Sequence, residues 1–244
     1  MNRRVVVWFS CGAASAVAGK LAQEKYGKDV IFACCVIPNE HPDNERFIKD
    51  CEKWYGKEIL RLSNPKYKDA WQVWEQTKYL VGPTGARCTV ELKKQVRNKF
   101  QKVSDLQVFG FTSEEQSRAE RFVEQNPDVD LYSPLIEKNY NKQDCFKVLQ
   151  EAGIQLPAMY HLGYKNNNCI GCVKGGAGYW NKIRKDFPEV FTRMASLERS
   201  LNRKVLKHKG KRIFLDELPE NVGRYESELD FQCGVLCGTG EETK

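Results

Sequence analysis

Residues 4–15 read Arg-Val-Val-Val-Trp-Phe-Ser-Cys-Gly-Ala-Ala-Ser, and this stretch decides the fold. Val5, Val6, Val7, Trp8 and Phe9 are β-branched or aromatic with no polar alternation. That composition suits a strand covered on both faces, as in a parallel sheet. Residues 14–26 then carry the Ala, Val and Leu spacing of a helix that Gly27 would end. Between the two lies a turn of small residues, Ser10, Cys11, Gly12, Ala13, Ala14 and Ser15. Its hydroxyls, its close backbone approach and the positive end of the following helix suit a phosphate or sulfate group. The turn is not a Walker loop, because the G-x4-G-K-[ST] spacing is missing. A tight strand-to-helix turn with no ligand is the plain alternative.

Outward from this unit the rhythm continues. Apolar runs at 30–36 and 57–62 read as strands, and 44–55 reads as a helix with Phe47, Ile48, Cys51 and Trp54 on one stripe. A β-α-β-α-β order predicts an α/β fold with a doubly wound parallel sheet, whose ligand crevice lies at the carboxyl ends of the strands. Further helices are expected over 70–80, 89–101 and 141–152, the last with Asn141 as N-cap, and a further strand over 106–111. Residues 112–121 read as a polar segment, 130–136 as extended, 154–160 as a short connection and 161–178 as an Asn- and Gly-rich loop. Residues 179–199 read as an amphipathic helix interrupted near Pro188, and 212–215 as a short strand. The expected organisation is an α/β nucleotide-binding domain over 1–178, with 179–244 as a C-terminal helix and cysteine-containing tail packed on it.

The chain has 244 residues, a formal charge of +7 and no apolar run near the roughly 20 residues that a membrane span needs. The expectation is a cytoplasmic protein with no membrane partner. Part of the positive charge is crowded into 203–212, where Lys204, Lys207, His208, Lys209 and Lys211 sit together. Such a run attracts phosphates, nucleic acid included, or is simply a solvated surface.

Ten cysteines in a chain of this size, with no secretory leader recognised, point to metal binding or catalysis rather than to a disulfide framework. Cys169 and Cys172 form a CxxC within the Asn/Gly loop, a spacing that lets two thiolates reach one metal or form a dithiol redox pair. Cys233 and Cys237 flank Gly234 in the tail. A cysteine on a Gly-flanked tail can swing over a bound nucleotide, or the pair can serve as a tail anchor or as metal ligands. Cys34, Cys35, Cys51 and Cys145 lie in apolar strands or helix faces and are expected in the core.

Taken in order, several elements resemble the phosphoadenosine phosphosulfate (PAPS) reductase and adenine nucleotide alpha-hydrolase (PP-loop ATP pyrophosphatase) superfamily. The turn at Ser10–Ser15 resembles its Ser-Gly-Gly-x-Asp-Ser loop, with Cys11 for the first Gly and Ala14 for the Asp. Asn39-Glu-His-Pro42 resembles its acidic-Pro turn, and Arg87-Cys88-Thr89 with Lys93 its Cys-Thr-x3-Lys element. The stretch from Gly110 to Arg118 resembles its Gly-x-Arg-x-Asp-Glu-Ser-x-x-Arg element, with Thr112 for the first Arg. Tyr132-Ser-Pro-Leu135 and the loop from Tyr160 to Cys172 complete a resemblance that spans about residues 4–190.

The resemblance implies a Rossmann-like, adenine nucleotide alpha-hydrolase-like sheet. It implies an adenine nucleotide (PAPS, adenylyl sulfate or ATP) bound by Ser10, Cys11, Gly12, Ala13, Ser15, Lys93 and Arg118, with Lys94 and Arg121 as further cations. It also implies a [4Fe-4S] cluster, or zinc in its place, at Cys88, Cys169 and Cys172, either with one iron position left open or with Cys237 or Cys233 as a fourth ligand. The Cys233-Gly234 pair resembles the terminal Glu-Cys-Gly-x-His motif of sulfonucleotide reductases, which would make Cys233 the nucleophile and a thiol reductant the partner. Gln232 and Leu236 depart from that motif. Ala14 in place of the carboxylate favours a sulfated nucleotide over ATP cleavage. Two other classes remain open on the sequence. One is an ATP-dependent adenylating sulfur transferase acting on tRNA or DNA, and the other is a non-catalytic nucleotide-binding module.

Overall fold

A computed structural model describes residues 3–83 and 85–228. The chain folds into two compact units. The first comprises Met1–Val36, Pro42–Ser63 and Gln95–Asn167; the second comprises Ile37–His41, Asn64–Lys94 and the stretch from Asn168 on.

The first unit is built on a five-stranded parallel sheet. Its strands are β1 (Val5–Phe9), β2 (Ile31–Cys35), β3 (Ile59–Leu62), β6 (Leu106–Val108) and β7 (Asp130–Tyr132), in the order β3-β2-β1-β6-β7. Two short strands, β4 (Val81–Gly82) and β5 (Gly85–Ala86), pair with each other in the second unit. All four pairings of the five-stranded sheet are parallel, with Val7 opposite Phe32 on one side and Val108 on the other. The chain winds outward from β1 to β3 and then returns to β6 on the far side of β1. The strand order therefore reverses between β1 and β6, which is where open parallel sheets bind ligands.

Both faces of the sheet are covered, which explains the unbroken apolar run in β1. Val5, Val7 and Phe9 join the core beneath α1 (Ala13–Tyr26) and α2 (Asn44–Tyr55), where Phe9 stacks on Phe47 and Phe32 on Tyr55. Val6 and Trp8 alternate to the opposite face. There Trp8 meets Phe100 edge to face and donates its indole N–H to Gln107 Oε1 at 3.0 Å. Gln107 in turn donates to Gln101 Oε1 at 2.9 Å, so the buried Gln107 side chain is satisfied within the protein.

The first half of the second unit holds α3 (Ala70–Thr77), capped by Asp69, and α4 (Arg87–Thr89). A π-turn over Val90–Lys94 follows, and α5 (Gln95–Phe100) lies in the first unit. The expected helix over 89–101 thus contains a π segment. The polar stretch after β6 becomes a 3-10 turn, Ser113–Glu115, and α6 (Gln116–Gln125).

The expected extended run over 130–136 is corrected. Only Asp130–Tyr132 is strand, because Pro134 occupies the first turn of a short helix, α7 (Pro134–Glu137). Asn141 caps α8 (Lys142–Glu151) as expected, accepting from the N–H groups of Gln143 and Asp144. The short α9 (Ala158–His161) lies where a connection was read.

In the second unit α10 (Ala177–Asp186) and α11 (Pro188–Leu201) break at Phe187-Pro188, as Pro188 dictates. The strand expected over 212–215 is one arm of a hairpin, β8 (Leu206–His208) with β9 (Lys211–Ile213). No helix among the described residues is long and apolar enough to cross a membrane.

Candidate functional site

At the carboxyl end of β1 the chain turns sharply into α1. Cys11 takes φ +57°, a left-handed conformation that costs a non-glycine residue about 1–2 kcal/mol. Its thiol is buried, with Sγ 3.8 Å from Sγ of buried Cys34. Gly12 is the N-cap and offers no side chain, and the first turn of α1 holds no acidic residue. The N–H groups at this end have no helical carbonyl to meet, and together they form the positive pole of a 14-residue helix.

Ser15 holds the turn in shape. Its Oγ accepts the Ser10 N–H at 3.0 Å, shares a hydrogen bond with Ser10 Oγ at 3.1 Å and donates to the Gly12 carbonyl at 2.9 Å. Ser15 is buried and Ser10 is exposed. The turn is therefore held in shape by its own hydroxyl.

Three contacts that the sequence did not single out complete the turn. A Cβ on Gly110 would lie 2.7 Å from Ser15 N and 2.8 Å from the Ala14 carbonyl carbon, so the backbone leaving β6 presses directly on the start of α1. A Cβ on Gly12 would sit 3.4 Å from the Tyr160 hydroxyl. Asn167 donates its amide to the Cys11 carbonyl and to Asn44 Oδ1, both at 2.7 Å. The other end of that amide, Asn167 Oδ1, is buried with no hydrogen-bond partner. In sequence Asn167 is the middle of an Asn-Asn-Asn run that reads only as loop, so no local signal marks it. Gly110 was visible as the first residue of a family-like element, without a reason for being glycine.

Arg118 lies on α6 in the same unit. Glu115 accepts from Arg118 Nη1 at 2.5 Å while its other oxygen accepts the Thr112 N–H at 3.2 Å. The guanidinium sits 5.5 Å from the Phe111 ring centroid. Arg121 donates to the Ser117 carbonyl and is exposed.

Lys93 falls in the second unit. There its ammonium is 3.4 Å from Glu40, with both side chains nearly buried. Lys94 ends the same π-turn and is half-buried. π-Turns recur at functional sites.

A cation that the sequence passed over is Arg97 on α5. It is 5% exposed, pairs with no carboxylate among the described residues, and leaves Nη1 without a partner. Its other nitrogens reach only Asn98 Oδ1, at 3.4 Å. Burial lowers its pKa, and the Cys35 thiol is its electrostatic neighbour.

Cys88, Cys169 and Cys172 all belong to the second unit. Cys88 and Cys169 are half-buried and Cys172 is buried. The Tyr179 hydroxyl stitches the CxxC loop, accepting the Cys172 N–H at 2.9 Å and donating to the Cys169 carbonyl at 3.1 Å. Gly171 between them takes φ +75°. Among the described residues no group of three or more His, Cys, Asp or Glu side chains gathers as a metal centre would. Cys233 and Cys237 lie outside the described residues.

Cys34, Cys35, Cys51 and Cys145 are buried as expected. Burial pushes the Cys145 thiol up to about 12 and raises Cys51 as well, so neither is a thiolate near neutral pH.

Comparison with protein-family models gives no match, and comparison with curated proteins gives none either.

Proposed function

We propose that the chain is a PAPS reductase-like enzyme that binds an adenylyl sulfate-type nucleotide, with or without a 3′-phosphate, at the Ser10–Ser15 turn. The observation that carries this reading is the placement of that turn. It lies at the strand-order reversal between β1 and β6, with Gly110 packed against Ser15 and an uncapped helix end above it. Backbone N–H groups of the first turn of α1 would hold the anionic phosphosulfate. Absence of a carboxylate in the first turn of α1 suits an anion that arrives without a chelated metal.

The sulfur step is assigned to Cys233 on sequence grounds. Its thiolate would attack the sulfate sulfur, the sulfur–oxygen bond to the phosphate would break, and the adenosine phosphate would leave with the electron pair. A second thiol, from a dithiol reductant, would then attack Cys233 Sγ. Sulfite would leave, and a mixed disulfide would remain for the reductant to resolve.

The test is calorimetric titration with adenylyl sulfate, PAPS and ATP, followed by sulfite release in the presence of a dithiol. The expected result is binding of a sulfated nucleotide and sulfite formation that Cys233→Ser abolishes while binding persists. Binding with no sulfite would leave the nucleotide site standing and remove the reductase step. Preference for ATP over both sulfated nucleotides would point to adenylation instead.

A further inference from the structure

The hairpin β8–β9 presents charge in a way that neither its fold nor its neighbours account for. Lys209 and Gly210 both take positive φ, +48° and +77°, which makes the two-residue connection a type I′ turn and the ribbon stiff. Lys207 stands directly opposite Arg212. Side chains so paired share one face with Cβ atoms about 5 Å apart, and like charges there destabilise the ribbon. Both are exposed, as are Lys209 and Lys211 at the tip.

No acidic residue occurs anywhere from 202 to 215. The nearest carboxylates are already committed. Asp216 and Glu217 pair with Arg199. Glu198 is buried at the base of the ribbon, where its two oxygens accept the N–H groups of Val205 and Leu215. Among the described residues, Lys207, Lys209, Lys211 and Arg212 form no ion pair with a carboxylate.

We propose that this ribbon binds the sugar–phosphate backbone of a nucleic acid. The exposed cations are spread over both strands and both faces of the ribbon, with Lys207 beside Arg212 across it, Lys211 on the other face and Lys209 at the turn. Charge spread over a protruding ribbon matches a run of phosphates better than a single anion. The ribbon carries no exposed large apolar side chain, so it lacks the wedge that membrane insertion needs. A two-stranded ribbon also has the dimensions to enter a duplex groove. The inference stands apart from the nucleotide reading, because no residue of the Ser10–Ser15 turn contributes to it.

The experiment is fluorescence anisotropy of the full chain with labelled duplex DNA, duplex RNA and single-stranded DNA, between about 50 and 200 mM salt. The three arms tell which nucleic acid supplies the backbone. Each phosphate contact adds about −0.9 to the slope of log affinity against log salt on duplex DNA, which corresponds to roughly eightfold at about 0.1 M salt. Lys207→Glu with Lys209→Glu is expected to weaken binding at least tenfold and to flatten the slope by about 2. Lys207→Glu sets a carboxylate opposite Arg212, so the ribbon keeps its fold, which a thermal melt checks.

A control of equal charge change, Lys99→Glu with Lys102→Glu, alters exposed lysines of the other unit and is expected to change affinity less than threefold. Equal loss in the control and the ribbon variant would overturn the proposal, as would wild-type chain that binds none of the three probes.

Discussion

The Ser10–Ser15 turn and the β8–β9 ribbon are the two anion sites proposed above, and they are built in opposite ways. In the turn, side-chain polarity is consumed internally. Ser15 spends its hydroxyl on Ser10 and Gly12, and Asn167 spends its amide on Cys11 and Asn44. What is left to offer is backbone N–H at a helix end, together with the unpartnered Asn167 Oδ1. In the ribbon the backbone is consumed by the hairpin and by Glu198, and what is left to offer is side-chain charge. Preorganised backbone donors fix a small anion in one geometry. Flexible surface cations give salt-dependent attraction with little geometric selection. The proposals accordingly give a small, shaped ligand to the first and a long polyanion to the second.

The sharpest way to break the contrast is Gly110→Ala. The new methyl would stand 2.7 Å from a backbone nitrogen that has no flexible end to yield. The expected loss is about 3 kcal/mol of stability, the upper range for forced overpacking, with nucleotide binding lost and affinity of the ribbon for nucleic acid retained. A urea melt together with the two binding assays reads all three.

Next comes pH. Burial pushes the Glu198 carboxyl from its ordinary 4.5 up to about 7. The folded chain keeps that proton over a range where the unfolded chain loses it. Its contribution is therefore full below about pH 4.5 and is lost as pH rises through 7, a change of order 3 kcal/mol. Stability in urea should fall from pH 5 to pH 8 in wild type, and the Glu198 share of that fall should vanish in Glu198→Gln. An unchanged slope in the variant would assign the effect elsewhere.

Arg97 sharpens the comparison from the other side, because its buried guanidinium has no carboxylate to repay its desolvation. Arg97→Met is expected to raise the stability of the ligand-free chain by about 1–3 kcal/mol, read by thermal melting. Ser15→Ala should cost about 1–2 kcal/mol and lower nucleotide affinity, since Ser10 and Gly12 lose the hydroxyl that ties them together. The smallest effect is expected for Lys207→Glu alone. Relief of the Lys207–Arg212 repulsion should stabilise the ribbon by about 0.2–1 kcal/mol.

The sheet was legible because its code is local. An unbroken Val-Val-Val-Trp-Phe run followed by small residues and an Ala-rich helix has few other solutions, and β1, α1, β2, α2 and β3 lie where that pattern puts them. The extended reading of 130–136 failed at Ser133-Pro134 because apolar content outweighed the preference of Pro for a first helical turn. The candidate site was only half legible. Ser10 to Ser15 announces itself, whereas Gly110 and Asn167 matter through contacts about 95 and 156 positions away, which no window of sequence displays. The interleaving of the two units, with 37–41 and 64–94 grouped with the chain from Asn168 on, likewise follows from tertiary contacts rather than composition.

The central claim is that the helix end after β1, and not a surface cation cluster, receives the nucleotide. Amide NMR of the full chain titrated with adenylyl sulfate tests it most directly. The expected result is saturable shifts concentrated at Ala13, Ala14, Ser15 and Gly110, unchanged by moderate salt. Shifts confined to 203–212 and abolished by salt would contradict it.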